Sequence, residues 1–413
     1  MRSRRFVAVA AAVAAALVAG MPAASAEPED GAGVKVDRAQ GAGMRAAAVD
    51  PIPSEFVSVA PVRVLDTRIS GIPVGPGRSV TVDLSAQTPD TATSVVLNVT
   101  GVTPTASTFV TVYPAGEARP TASNLNLAAR NTRANSVVVA LSPDRRVTLY
   151  NNSGNTHLVA DLSGYYKAEP ANRYDTMNPR RVLDTRSGAP LGPRGVGYLN
   201  LSSFVPAGAT AVTFNMTGVG ATASTFLTAY PNGQTRPTAS NINLAPGEVV
   251  PNQVTVQIGT NRSIALYNNS GNTDVIIDLV GYYSPSGTYE FIAISPTRSW
   301  DSRQDDGLRP NYFVGLTGWG GESDPVALWA VAGNVTGVNA TAPGFVTLWP
   351  GGQQKPNAST LNVVPGQVVA NAVTVGIGYE PDPGIADRSV NFANSAGYVD
   401  VIFDVAGFFV VLN

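Results

Sequence analysis

The hexapeptide Arg63-Val64-Leu65-Asp66-Thr67-Arg68 returns as Arg181-Val182-Leu183-Asp184-Thr185-Arg186 and, altered, as Arg298-Ser299-Trp300-Asp301-Ser302-Arg303. The aspartates stand 118 residues apart (184 − 66) and then 117 (301 − 184). Self-similarity at one period marks each copy as a folding unit, and a residue that carries function is judged by whether its counterparts repeat it. Other words keep the same order. Asn98-Val99-Thr100-Gly101-Val102 recurs at 215–219 and 334–338, and Phe109 to Pro114 at 226–231 and 345–350. Arg119-Pro120-Thr121-Ala122-Ser123-Asn124-Leu125-Asn126 recurs at 236–243 and, more loosely, at 355–362. Each copy closes on Asp-x-x-Gly and two aromatics, at 161–166, 278–283 and 404–409. The third copy diverges: it holds all four tryptophans and extra segments at 320–324 and 380–387.

The chain is too long for one hydrophobic core, and units of about 115 residues match the common domain size. Copy one contains eight short runs rich in β-branched residues and bounded by Gly, Pro, Asn or Asp: 62–68, 79–84, 94–102, 108–113, 123–127, 136–141, 146–151 and 157–165. No helical stripe interrupts them. Asn152-Ser153-Gly154-Asn155 and Asn269-Ser270-Gly271-Asn272 have hairpin-turn chemistry. The expected fold class is all-β, with three tandem antiparallel β-sandwich repeats, each able to take a jelly-roll form. The expected units are 54–166, 172–283 and a divergent 288–413. The short connectors at 167–173 and 284–288 imply a compact or stiff row, and leave open whether it is a line or a pseudo-threefold cluster.

Arg2, Arg4 and Arg5, an apolar run from Phe6 to Val18 and then Ala24-Ser25-Ala26 read as a secretory signal peptide (1–26), cleaved after Ala26. Residues 27–53 read as a flexible lead-in. The expected location is therefore extracellular. Cysteine is absent, which removes disulfides and thiolate chemistry. Charged residues make up only 14% and the net charge is −2, so no footprint for nucleic acid or an anionic membrane exists.

Three charge clusters repeat: Arg63, Asp66 and Arg68 with Asp161; Arg181, Asp184 and Arg186 with Asp278; Arg298, Asp301 and Arg303 with Asp404. Their structural reading is buried or half-buried ion pairs that pin the first strand to the last, because buried charges persist only when paired. The catalytic reading is a carboxylate pair across a cleft, as in a glycosidase, which would give one protein three active sites. No catalytic residue is assigned. His157 is the sole histidine and is replaced by Asp274 and Asp400 in the other copies, which argues against a Ser-His-Asp triad and a zinc site. No metal site and no cofactor are expected. Calcium stays open through the Asp and Asn of the loops.

Tyr113, Tyr230 and Trp349 end a strand before a Pro-containing turn, and Arg119, Arg236 and Lys355 follow six residues later. An aromatic platform beside cationic and amide donors (Asn124, Asn126, Asn241, Asn243) is what a sugar-binding surface needs. The alternative is that the rings pack inward and the amides satisfy turn backbones. Trp319 and Trp329 are the next candidates.

Together these words resemble repeats found in exported proteins of streptomycetes and other actinobacteria, often beside extracellular hydrolases. The resemblance covers nearly all of 54–413 and implies an accessory or surface-binding module. In the third copy Ser299 and Trp300 replace Val-Leu and Lys355 replaces Arg. The expected function is that of a non-enzymatic exported protein binding an extracellular cell-wall glycan or polysaccharide. A protein-interaction role, as inhibitor, toxin component or structural coat protein, is the alternative, and a repeat-based hydrolase comes third.

Overall fold

The computed structural model describes residues 34–36, 52–310, 312–320, 326–380 and 387–412. The expected signal peptide and its cleavage site lie outside the described residues, as do most of the lead-in and most of the third copy's two extra segments. Within the lead-in, Val34–Val36 is a strand running parallel to Phe313–Leu316. The expected first strand is longer than its sequence pattern shows, Glu55–Asp66, and ends in a short turn at Thr67–Ser70 capped by the Asp66 side chain.

The strands form six sheets, five of four strands and one of six. In the first copy, one sheet runs Glu55–Asp66, His157–Lys167, Ala92–Val102, Arg133–Ala140. The other runs Arg78–Asp83, Arg146–Asn151, Thr108–Pro114, Leu125–Leu127. The chain crosses between the two, so neither is a contiguous meander. The second copy repeats this order, and in the third Val34–Val36 extends the outer sheet.

The expectation of three tandem β-sandwich repeats needs correcting. The all-β chain gathers its six sheets into one propeller-like body about a common axis, not into three self-contained sandwiches set in series. Three sheets line a common axis and three lie outside them. The reason is visible in Ala92–Val102, which is buried on both faces. Val95, Leu97 and Val99 point into an apolar cluster with Val110, Val112 and Leu149 of the outer sheet. Ser94, Val96, Asn98 and Thr100, the face that alternation assigns to solvent, are buried as well. They face the axis and the other repeats.

Asparagines close that axis. Asn252 donates to the Asn98 side-chain oxygen (2.9 Å) and to the Asn241 carbonyl (2.7 Å), and accepts from the Ser136 backbone N–H (2.9 Å). Asn371 does the same with Asn215, Thr360 and Gln253, and Asn135 with Asn334, Asn124 and Ala372. Asn98, Asn215 and Asn334 donate in turn to the carbonyls of Ser240, Ser359 and Ser123. Each bond set joins one repeat to the next, and the third returns to the first. A head-to-tail interface whose rotation closes gives a ring.

At one end of the axis Phe56, Tyr166, Tyr174, Tyr283, Phe291 and Phe409 form a buried aromatic cluster. Phe56 lies 4.2 Å from Tyr283, Tyr174 4.3 Å from Phe409 and Phe291 4.3 Å from Tyr166, each pair crossing between repeats. The glycine of the closing word is explained here. A Cβ at Gly164, Gly281 or Gly407 would run into Phe56, Tyr174 or Phe291 respectively. Backbone bonds tie the same strands together: Ser54 with Phe291, Phe56 with Asn172, and Tyr174 with Tyr289. Just outside, Arg173 bridges Glu55 (2.9 Å) and Glu290 (3.0 Å), its two counterparts in the other repeats.

Two outcomes follow from this packing. Asn252→Ala orphans the buried Ser136 N–H and the Asn241 carbonyl, and should cost about 1–3 kcal/mol for each group left unsatisfied; urea midpoints at unchanged slope measure it. Gly164→Ala should destabilise by about 1–3 kcal/mol through overpacking against Phe56, and the same assay checks it.

Candidate functional site

The charge clusters sit where the first strand meets the last. Register places Arg63 opposite Asp161, Arg181 opposite Asp278 and Arg298 opposite Asp404. Arg63 donates Nε to Asp161 (2.9 Å), Nη2 to its second oxygen (3.2 Å) and Nη1 to Asp66 (3.2 Å). Arg68 forks onto the same Asp66 at 2.8 and 2.6 Å. Arg181–Asp278 and Arg298–Asp404 repeat the first contact at 2.9 Å, while Arg186 and Arg303 clamp Asp184 and Asp301. Every carboxylate in the three clusters is thus held by at least one guanidinium. The clusters also touch the neighbouring repeat, since Arg63 Nη2 reaches the Thr238 carbonyl and Asp278 accepts from the Ser359 N–H.

Hydrogen bonding to Arg68 holds the Asp66 carboxyl down at about 2, below its ordinary 3.8. Arg186 and Arg303 lower Asp184 and Asp301 in the same way. Burial pushes Asp161 and Asp278 the other way, upward, against their arginines. The stabilising contribution of a depressed carboxyl is present above its unfolded value and lost as pH falls through its folded one. For a raised carboxyl the sign is reversed. These carboxylates are held in ion pairs by arginines that range from half-buried (Arg63, Arg181, Arg298) to exposed (Arg68, Arg303).

His157 accepts at Nδ1 from the Thr67 hydroxyl at 3.1 Å if its proton sits on Nε2, and Asp274 accepts from Thr185 at 2.7 Å in the second copy. The position therefore serves as a turn acceptor. A cavity on the axis, lined by Val96, Ser136, Tyr166, Gln253, Tyr283 and Thr374, has room for about one water and none for a sugar.

The aromatic candidates divide. Tyr230, Trp349 and Trp319 are buried, and Trp349 and Trp319 spend their indole N–H groups on the Gln353 and Leu316 carbonyls. Tyr113 is half-buried. Trp329 is half-buried, stacked on Tyr289 and lying 4.6 Å from the Arg388 guanidinium. The three rings therefore do not form three equal exposed platforms. The asparagines also turn inward: Asn124 and Asn241 accept from the Val112 and Ala229 N–H groups at 2.7 Å, and Asn126 and Asn243 pair with Ser123 and Ser240.

What the outer faces do present is an arginine laid over a ring. Arg119 lies 4.3 Å from the Tyr150 centroid and Arg236 4.1 Å from that of Tyr267, and both arginines are exposed. The third copy loses both partners together. Lys355 stands for the arginine, and Ala393, just before Asn394, occupies the place that Tyr150 and Tyr267 hold before Asn151 and Asn268. Beside Arg236 the strand Val196–Asn200 alternates Leu199 into the core with Tyr198 outward, 66% exposed. Tyr198 pairs with Ala265, and Ala265 with Tyr230, in one row across three strands. The strand pattern contained this signal, but the tyrosine has no counterpart in the other copies and was not singled out.

No family model matches the chain, and no curated protein matches it. Among solved structures, one similar chain belongs to the atomic structure of Sulfolobus Turreted Icosahedral Virus. It is 11% identical, with 93% of this chain and 98% of that one covered, at a TM-score of 0.20. Another comes from work on the triple jelly roll fold and turret assembly in an archaeal virus, at 10% identity, 94% and 98% coverage and a TM-score of 0.21. Likeness at that level carries no argument about fold or role.

The charge clusters generate two expectations. Asp161→Ala should lower stability by about 2–4 kcal/mol, because Arg63 loses its buried partner while keeping Asp66. Stability should fall as pH drops from the ordinary 3.8 toward about 2, where Asp66 takes up its proton. Asp66→Asn, Asp184→Asn and Asp301→Asn together should flatten that limb of the curve, as acid titration of the unfolding midpoint would reveal.

Proposed function

We propose that this is an exported, non-enzymatic protein that binds an extracellular glycan on the outer faces of its first two repeats. The observation that carries the reading is the pair of exposed arginines Arg119 and Arg236, laid over the half-buried Tyr150 and the buried Tyr267, joined in the second repeat by the exposed ring of Tyr198. A flat ring suits the C–H face of a sugar, and a guanidinium held in place offers several donors to its oxygens. The third repeat, lacking arginine and ring alike, is on this reading a structural member. Resemblance to exported actinobacterial repeats and the signal-like segment at 1–26 support the extracellular setting. The hydrolase alternative loses support, since the repeated carboxylates are engaged by arginines.

A protein-binding role has one observation of its own. Ile69 and Ile72, 85% and 71% exposed, project from the turn after the first charge cluster, with no counterparts in the other copies. The deciding experiment is a pull-down of the mature chain against insoluble cell walls and polysaccharides. Tyr198→Ala combined with Arg119→Ala and Arg236→Ala should abolish retention while the protein stays folded. Retention unchanged in that triple variant, with loss in Ile69→Ser/Ile72→Ser, would transfer the role to the isoleucine turn.

A further inference from the structure

We propose that the glycan is acidic, with Arg236 taking a uronate carboxylate and Tyr198 the face of the same sugar or its neighbour. This inference rests on the glycan reading and narrows its ligand class. Among the described residues most arginines are already committed to ion pairs, Arg63, Arg68, Arg133, Arg146, Arg173 and Arg181 among them. Arg236 is different. Among the described residues it has no carboxylate partner, and its hydrogen bond is a long one, from Nη1 to the Pro237 carbonyl at 3.4 Å. The guanidinium carbon lies 4.1 Å from the Tyr267 ring centroid, and the arginine is exposed, so it rests on a ring while reaching solvent. A planar fork held in advance suits a carboxylate, which it meets through two parallel hydrogen bonds.

The surroundings favour an anion from outside. The four strands of this outer sheet read VGYLN, TFLTAYP, INL and SIALYN, with no acidic residue among them. No carboxylate on the sheet competes for Arg236. Tyr198 stands opposite Ala265, two residues from the Tyr267 on which Arg236 rests, so ring and cation share one face of the outer sheet. In the first repeat Arg119 repeats the stack, and the nearby Glu117 is occupied by the Ser295 hydroxyl of the third repeat at 2.6 Å. That face has Thr81 opposite Thr148 where the second has Tyr198 opposite Ala265, so it offers the cation without the exposed ring. The second repeat is the principal site and the first an auxiliary one on the same rigid body. A polymer that reaches both gains by effective concentration.

The test uses affinity electrophoresis of the mature chain in gels containing polygalacturonate, alginate or hyaluronate, each beside its carboxyl-esterified form. The ionised polymers should retard the protein at least tenfold more strongly than their esters, and added salt should weaken the effect. Arg236→Gln should lose at least tenfold of that retardation, Arg119→Gln less, and Arg236→Lys should fall between wild type and Arg236→Gln. Both arginines are exposed, so thermal unfolding should stay unchanged. Equal retardation by ionised and esterified polymers, with Arg236→Gln behaving as wild type, would overturn the acidic inference and leave the glycan reading standing. Retardation by none of these, together with no retention on any wall or polysaccharide, would overturn both.

Discussion

Six asparagine amides buried on the axis dictate how the rest of this molecule is put together. An amide taken out of water must find partners, and here each finds them in another repeat. Asn135, Asn252 and Asn371 each offer both amide protons and the oxygen, and all are at most 1% exposed. Such bonds are directional, so they set the rotation between repeats, where apolar packing alone would tolerate slippage. The aromatic cluster then adds area to an arrangement whose geometry is already set. Close approach of Phe56, Tyr174 and Phe291 to the neighbouring strands demands glycine at 164, 281 and 407, which is why the closing word keeps that residue.

The ring is not fully symmetric, and its departures are informative. Glu55, Arg173 and Glu290 occupy equivalent positions, and three like charges there would repel. One arginine between two glutamates turns repulsion into a bridge and distinguishes the second repeat from its neighbours. Phe409 replaces the tyrosine of the other two copies, whose hydroxyls pair at 2.6 Å. Outside the ring the same divergence continues. The third repeat has exchanged its arginine and ring for Lys355 and Ala393, and carries its extra segments and the added strand Val34–Val36 instead. The repeats share a scaffold while their outer faces specialise.

Much of this was legible in the chain, and the failures have one cause. Strand positions followed from alternation and turn residues, and the pairing of Arg63 with Asp161 from the cost of burying charge. Alternation reports only that a strand has an apolar face and a polar one. It cannot say whether the polar face meets water or another polar face, and here Asn98, Asn215 and Asn334 meet the amides of Asn252, Asn371 and Asn135. Separate sandwiches were therefore expected where a closed body of sheets exists. The same ambiguity misplaced Tyr230 and Trp349, since a ring before a proline turn can lie in or out. Tyr198 escaped notice for the opposite reason. It occurs once, and a test built on recurrence discounts what does not recur.

If the axial amides and rings bind the three repeats into one body, the protein should unfold as a single unit despite its length. Differential scanning calorimetry of the mature chain measures this directly by comparing calorimetric with van't Hoff enthalpy. One transition with a ratio of about 1 is the expected result. Three resolved transitions, or a single broad one with a ratio of about 3, would mean that the repeats fold and melt independently. The buried asparagines would then be incidental contacts, and the shared axis would not be what holds the structure together.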